Sequence, residues 1–171
     1  MRAFTLLFVG LIFFSCQRQV ETPTPLPKSI DWDSRSIDMI PGDSVLEKGK
    51  TYLSVYSDIY RWSEEYSRSI TATISIRNVN SNDSIYLFNA EYYNTEGELI
   101  KSYLDKPAYI GPMETVEIVI HQDDKSGGTG ANFVFDWGVS NGTNEPFFEG
   151  VMISLVGTQG FAFTTQGLRI E

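Results

Sequence analysis

Between residues 69 and 78 apolar side chains alternate with hydroxyls: Ile70, Ala72, Ile74 and Ile76 against Ser69, Thr71, Thr73 and Ser75. A period of two puts one set on a buried face and the other in water, so the stretch predicts an antiparallel strand. The alternation recurs at residues 115–121, where Val116, Ile118 and Ile120 oppose Thr115, Glu117, Val119 and His121. In residues 132–137 Phe133, Phe135 and Trp137 share a face. Residues 83–94 read as a strand rich in aromatics (Tyr86, Phe88, Tyr92, Tyr93), and Asn94-Thr95-Glu96-Gly97 turns the chain back into residues 98–104. Residues 151–156 are a nearly continuous apolar run, the pattern of a strand buried on both sides, followed by strands at 161–165 and 168–170.

The rest is less decided. Pro41-Gly42-Asp43 marks a turn, with Ile37, Met39 and Ile40 leading toward a first strand. Residues 59–67 (IYRWSEEYS) fit one helical turn or a loop. No segment carries a helical stripe. About eight short strands separated by regular turn signals predict an all-β fold, an antiparallel β-sandwich of immunoglobulin-like type. A closed barrel is the alternative.

The first sixteen residues follow a different pattern. Arg2 precedes an apolar run over residues 3–14, then Ser15 and Cys16, the only cysteine in the chain. The run is too short to span a bilayer comfortably, and the order is that of a bacterial secretory leader ending at a lipoprotein cleavage site. Phe13 stands where that pattern prefers Leu. On this reading residues 1–16 are the signal peptide and Cys16 becomes the lipidated first residue, which attaches the protein to a membrane. Residues 17–28 hold Pro23, Pro25 and Pro27 at alternate positions and predict an extended tether. Residues 29–171 then form a single domain, long enough to bury a core without a disulfide. Gln17, rather than Asp, after the cysteine is compatible with an outer-membrane destination in the cell envelope.

The chain carries 13 Lys and Arg against 22 Asp and Glu, a formal net charge of −9. Without residues 1–16, which hold only Arg2, it becomes −10. No window clusters basic residues, which argues against nucleic acid as a partner. Acidity also disfavours lying flat on an anionic membrane.

Candidate chemistry is sparse. His121 is the only histidine, so one chain cannot build a multi-histidine metal site, and no nucleophile-elbow motif accompanies it. The loop at residues 123–131 is the best binding candidate: Asp123 and Asp124 could offer oxygens to calcium, or Gly127, Gly128 and Gly130 could turn amides toward an anion. Neither calcium-loop nor phosphate-loop spacing is present, and a long hairpin explains the same glycines. Asn132 and Asp136 adjoin this loop and complete the candidate surface. Asp136 and Glu149 would suit glycoside hydrolysis only if they flanked a cleft. Tyr52, Tyr56, Tyr60, Trp62 and Tyr66, with Tyr92 and Tyr93, offer stacking platforms for a glycan, although strands also favour aromatics for packing. Nothing calls for a cofactor. The residues favour a non-catalytic module binding a protein or an envelope glycan, with a carboxylate hydrolase as a further alternative.

The stretches TYLSVYSDIY, TATISIRNVNSNDSI, YYNTEGELIKSYL, DDKSGGTGANFVFDW and EGVMISLVGTQGFAF resemble an uncharacterised bacterial lipoprotein family, domain of unknown function 3124. The similarity runs from about Thr51 to Gly167, most distinctively in GGTGANF and EGVMISL with QGFAF. The family has no assigned activity, so no catalytic residue carries over. The resemblance implies that the glycine-rich loop belongs to the domain.

Overall fold

A computed structural model describes residues 30–40, 46–156 and 159–171. The leader, Cys16, the tether and the Pro41-Gly42-Asp43 turn lie outside the described residues. A single 3-10 turn, Asp33–Arg35, precedes the strands. These are β1 (Leu46–Ser54), β2 (Asp58–Tyr60), β3 (Ser67–Ser69), β4 (Thr71–Arg77), β5 (Ile85–Tyr93) and β6 (Leu99–Ser102). Then follow β7 (Ala108–Ile110), β8 (Thr115–Ile120), β9 (Asn132–Ser140), β10 (Phe147–Val156), β11 (Gln159–Gln166) and β12 (Leu168–Arg169).

One sheet runs β12-β1-β9-β5-β6, with β7 also on β5; the other runs β11-β10-β4-β8; β2 and β3 form a separate hairpin. Every pairing is antiparallel. The two large sheets pack face to face, giving the expected sandwich rather than a closed barrel. The pairs β4–β8 and β5–β9 match the B–E and C–F pairs of an immunoglobulin domain. The outer long strands are exchanged: β1 lies beside β9 and β10 beside β4, where that fold puts A beside B and G beside F.

The alternating residues point as their period dictates. Ile70, Ala72, Ile74 and Ile76 are completely buried, and Val116, Ile118 and Ile120 nearly so. From the facing sheet Phe133, Phe135 and Trp137 are completely buried. The Phe135 ring stacks on Phe148 of β10, with centroids 4.5 Å apart, and so joins the layers. Burying each such side chain contributes about 1.5–3 kcal/mol.

Three expectations are corrected. Residues 151–156 are buried on one face only: Met152 and Ser154 face inward, while Ile153 is 41% and Leu155 74% exposed. No third layer covers this sheet among the described residues, so a continuous apolar run here does not mean two-sided burial. Residues 59–67 are neither helix nor plain loop but the β2–β3 hairpin, with Ile59 opposite Arg68. The strand count rises from about eight to twelve through β1, β2, β3 and β7: the last three have three residues each, too short to show a period, and β1 opens on the polar, glycine-containing stretch Glu47-Lys48-Gly49-Lys50. Residues 30–40 form no strand. They are tied down by the Ile37 amide on the Pro107 carbonyl (2.9 Å) and by a two-pronged Arg35–Glu114 pair. That guanidinium, together with the Gly111 amide, holds the Glu114 carboxyl below its usual range.

Candidate functional site

Strands β6 and β8 terminate their respective sheets, and between them a cleft of about 450 Å³ opens. Tyr92, Ile118 and Ile120 form its buried floor. Its half-buried walls are Trp32, Ile100 and Tyr103. Lys101, Glu117, His121 and Asp124 stand exposed around its mouth. This is the size and mixed apolar-polar lining of a ligand site.

Packing positions the walls. Tyr92 stacks on Phe133 at 4.8 Å, and Tyr103 leans on the same ring at 5.7 Å. The Lys101 ammonium sits 4.4 Å over the Tyr103 ring. Burial pushes the Tyr103 hydroxyl up to about 12, with Tyr92 and Asp124 adding to the effect. It therefore remains a protonated donor at neutral pH. Glu117 accepts from the Ser75 hydroxyl at 3.2 Å, and Asp124 from the Ser126 amide at 3.0 Å. Among the described residues neither carboxylate has a cationic partner.

The glycine-rich loop is fastened along its length. The Gly127 carbonyl accepts from the Thr95 amide and hydroxyl, both at 3.1 Å, and the Gly130 amide donates to that hydroxyl at 2.9 Å. The Gly128 carbonyl takes the amides of Ser57 and Asp58 and the Ser57 hydroxyl. Gly128 has a φ of +70°, which favours glycine, and a Cβ on Gly127 would run into Tyr92. These glycines close the loop onto its neighbours. Of the loop's acids, Asp124 reaches the cleft, while Asp123 turns outward to His121 Nδ1 at 3.3 Å. No group of three metal-ligating side chains exists among the described residues.

Asn132 and Asp136 are not brought to the cleft. Both lie on the outer face of the first sheet, Asn132 between Ser54 and Tyr93, and Asp136 3.6 Å from the Lys50 ammonium. Glu149 lies on the outer face of the other sheet, 3.3 Å from Arg77. The two acids weighed for hydrolysis thus stand on opposite sides of the sandwich. The aromatics divide too. Tyr92 is core, Tyr56 packs edge-on to Phe163, and Tyr52 and Tyr93 half-cover the first sheet's outer face. Tyr60, Trp62 and Tyr66 project from the β2–β3 hairpin, Trp62 being 77% exposed with the Arg61 guanidinium 4.1 Å from its ring centroid.

The chain matches, over residues 48–170, the family described as Protein of unknown function (DUF3124). It belongs to that family. No curated protein matches it. The crystal structure of Thermotoga maritima 1070 is similar at 11% identity, over 70% of this chain and 92% of that one, with a TM-score of 0.45.

In this DUF3124 chain the cleft offers apolar walls, a tyrosine donor and carboxylates open to a cation. Trp32, Ile100, Lys101, Tyr103 and Glu117 escaped the sequence reading because they are scattered along the chain and share no motif. The one local hint was Trp32, an aromatic in a stretch otherwise without strand pattern.

Proposed function

We propose that this DUF3124 chain is a bacterial envelope lipoprotein, held to the membrane through acylated Cys16 and exposing its sandwich as a non-catalytic binding module. The leader pattern supports the anchor, and the cleft between β6 and β8 supports the binding role. Among the described residues no helix is long and apolar enough to cross a membrane. The lipid supplies attachment, the proline-rich tether supplies reach, and the acidic domain stays off an anionic surface. Gln17 favours the outer membrane. Detergent phase partitioning with mass spectrometry tests the anchor. The native chain is expected in the detergent phase with a diacylglyceryl-modified Cys16, and Cys16→Ser in the aqueous phase. A bare thiol on a chain that keeps its leader overturns the proposal.

Glycan binding is the second reading, favoured by the solvent-facing Tyr60, Trp62 and Tyr66. Large exposed rings beside an arginine are the composition of contact hot spots. Retention on insoluble peptidoglycan or polysaccharide, lost in Trp62→Ala, is the expected result. No retention of the native chain on any glycan removes this reading.

A further inference from the structure

We infer that the cleft takes a partner polypeptide in extended conformation, laid along β8 as a fifth strand of its sheet. The inference rests on the cleft being the contact site, and it names the class of partner.

Five consecutive residues, from Glu117 to His121, border the cleft. Successive residues of a strand point to opposite faces. A cavity touching all of them therefore runs along the strand's edge and not over one face. That edge is free among the described residues, where β8 pairs with β4 on one side and with nothing on the other. The register tells which backbone groups it presents. The Asn78 amide donates to the Glu114 carbonyl at 2.9 Å, one step before the Arg77–Thr115 pair. Antiparallel pairs alternate between bonded and non-bonded. So Val116, Ile118 and Ile120 bond to β4, while Thr115, Glu117 and Val119 turn their amides and carbonyls outward. No turn, loop or side-chain group among the described residues meets those backbone groups.

Natural sheets protect such edges with lysine, proline, a bulge or a covering segment. Residues Thr115–Ile120 carry a single charge, Glu117, and hold no proline, no lysine and no register shift, and Val119 is 57% exposed. An added strand would satisfy the outward groups and set alternate side chains against Trp32, Ile100 and Tyr103. Strand addition of this kind takes affinity from main-chain bonds and specificity from side-chain pockets. Charge narrows the partner further. Glu117 and Asp124 lack cations among the described residues, in a chain of net charge −9. The fitting partner is an apolar, extended segment carrying Lys or Arg.

The test pans a random peptide library displayed on phage against the full chain in detergent, then measures the enriched peptides by fluorescence anisotropy. Enrichment of alternating apolar sequences with a basic residue is expected. Val119→Pro removes an outward donor but no bond to β4, so the fold survives by circular dichroism while affinity falls about tenfold or more. Glu117→Gln, which keeps an acceptor for Ser75, weakens only the basic peptides, by about threefold. N-methylating alternate residues of the peptide poses the same question from the partner's side, should Val119→Pro fail to fold. Three results overturn the inference: no peptide enriched, enriched sequences without a basic residue, or binding indifferent to both Val119→Pro and N-methylation. Peptides that lose binding with Tyr103→Ala but pass those two controls overturn strand addition and leave the cleft reading standing. Binding indifferent to Tyr103→Ala as well removes both.

Discussion

Adding one methyl group at Gly127 tests why the glycine-rich loop contains glycine. Gly127 is buried, and a Cβ there would sit 2.8 Å from the Ala131 Cβ and 2.9 Å from the Tyr92 Cζ, closer still to the Tyr92 hydroxyl. Real contacts of this kind do not occur, so the loop or the ring must move. Neither moves freely: Gly127 and Gly128 carry the bonds to Thr95, Ser57 and Asp58, and Tyr92 is stacked on Phe133. Overpacking in such a setting costs about 1–3 kcal/mol. Gly127→Ala is therefore expected to lower Tm by about 8 °C in a domain of this size. The Tyr92 hydroxyl is the nearest obstacle, and it is a buried group without a well-formed hydrogen bond among the described residues. Tyr92→Phe alone is then expected to change stability by less than about 1 kcal/mol. In the Phe background Gly127→Ala recovers about 1 kcal/mol of its loss, the remainder staying because Cζ and Ala131 are still too close. Urea unfolding of all four proteins in the cycle measures this. If Gly127→Ala is neutral, or costs the same with and without the hydroxyl, the loop is not held as described.

Two further expectations follow from the same structure. The Asn78 side-chain Nδ2 reaches the carbonyls of Asp83 (2.7 Å), Ile110 (3.1 Å) and Gly111 (2.9 Å). Asn78→Asp turns a buried carboxylate toward those carbonyls and is expected to cost about 3 kcal/mol or more, read as a fall in the urea midpoint; an unchanged midpoint contradicts it. Tyr103, pushed up to about 12 by burial, and Tyr93, pushed up to about 12 by its bond to Glu91, hold their protons more tightly folded than unfolded. Their stabilising effect is complete below the unfolded value near about 10 and fades as pH rises toward 12. Phenolate absorbance should show two tyrosines titrating late, with Tm falling across the same window; ordinary titration of both in the folded protein would refute this.

Much of the fold was legible locally. In β4 and β8 the period-two alternation alone named the buried apolar residues, because neighbours along a strand necessarily face opposite sides; Ser75, expected in water, is instead buried on the outer face and donates to Glu117. Asn94-Thr95-Glu96-Gly97 announced its own turn, and Gly97 takes the positive φ of 81° that glycine allows. Where the local signal was ambiguous the reading stopped short. The run at residues 151–156 looked doubly buried, yet whether a second layer covers a strand is decided by elements far away in the chain. The glycines at 127–130 could have turned amides toward an anion or closed a hairpin; the Gly128 and Gly130 amides donate to the Lys125 carbonyl and the Thr95 hydroxyl, partners that no spacing rule identifies.

The candidate site divides the same way. Composition and the leader pattern carry the expectations of an envelope compartment and of a partner other than nucleic acid, since charge balance and a short apolar run need no fold to be read. Asp124, which borders the cleft, was singled out because it lies in a conspicuous loop. Trp32, Ile100, Tyr103 and Glu117 gather only when β6 and β8 become the ends of two facing sheets. Alternation along each strand was written in the order of the residues, because a side chain's direction depends on its immediate backbone. Which strand edge stays unpaired, and what stands across from it, depends on contacts between residues tens of positions apart, and only the packed sandwich decided that.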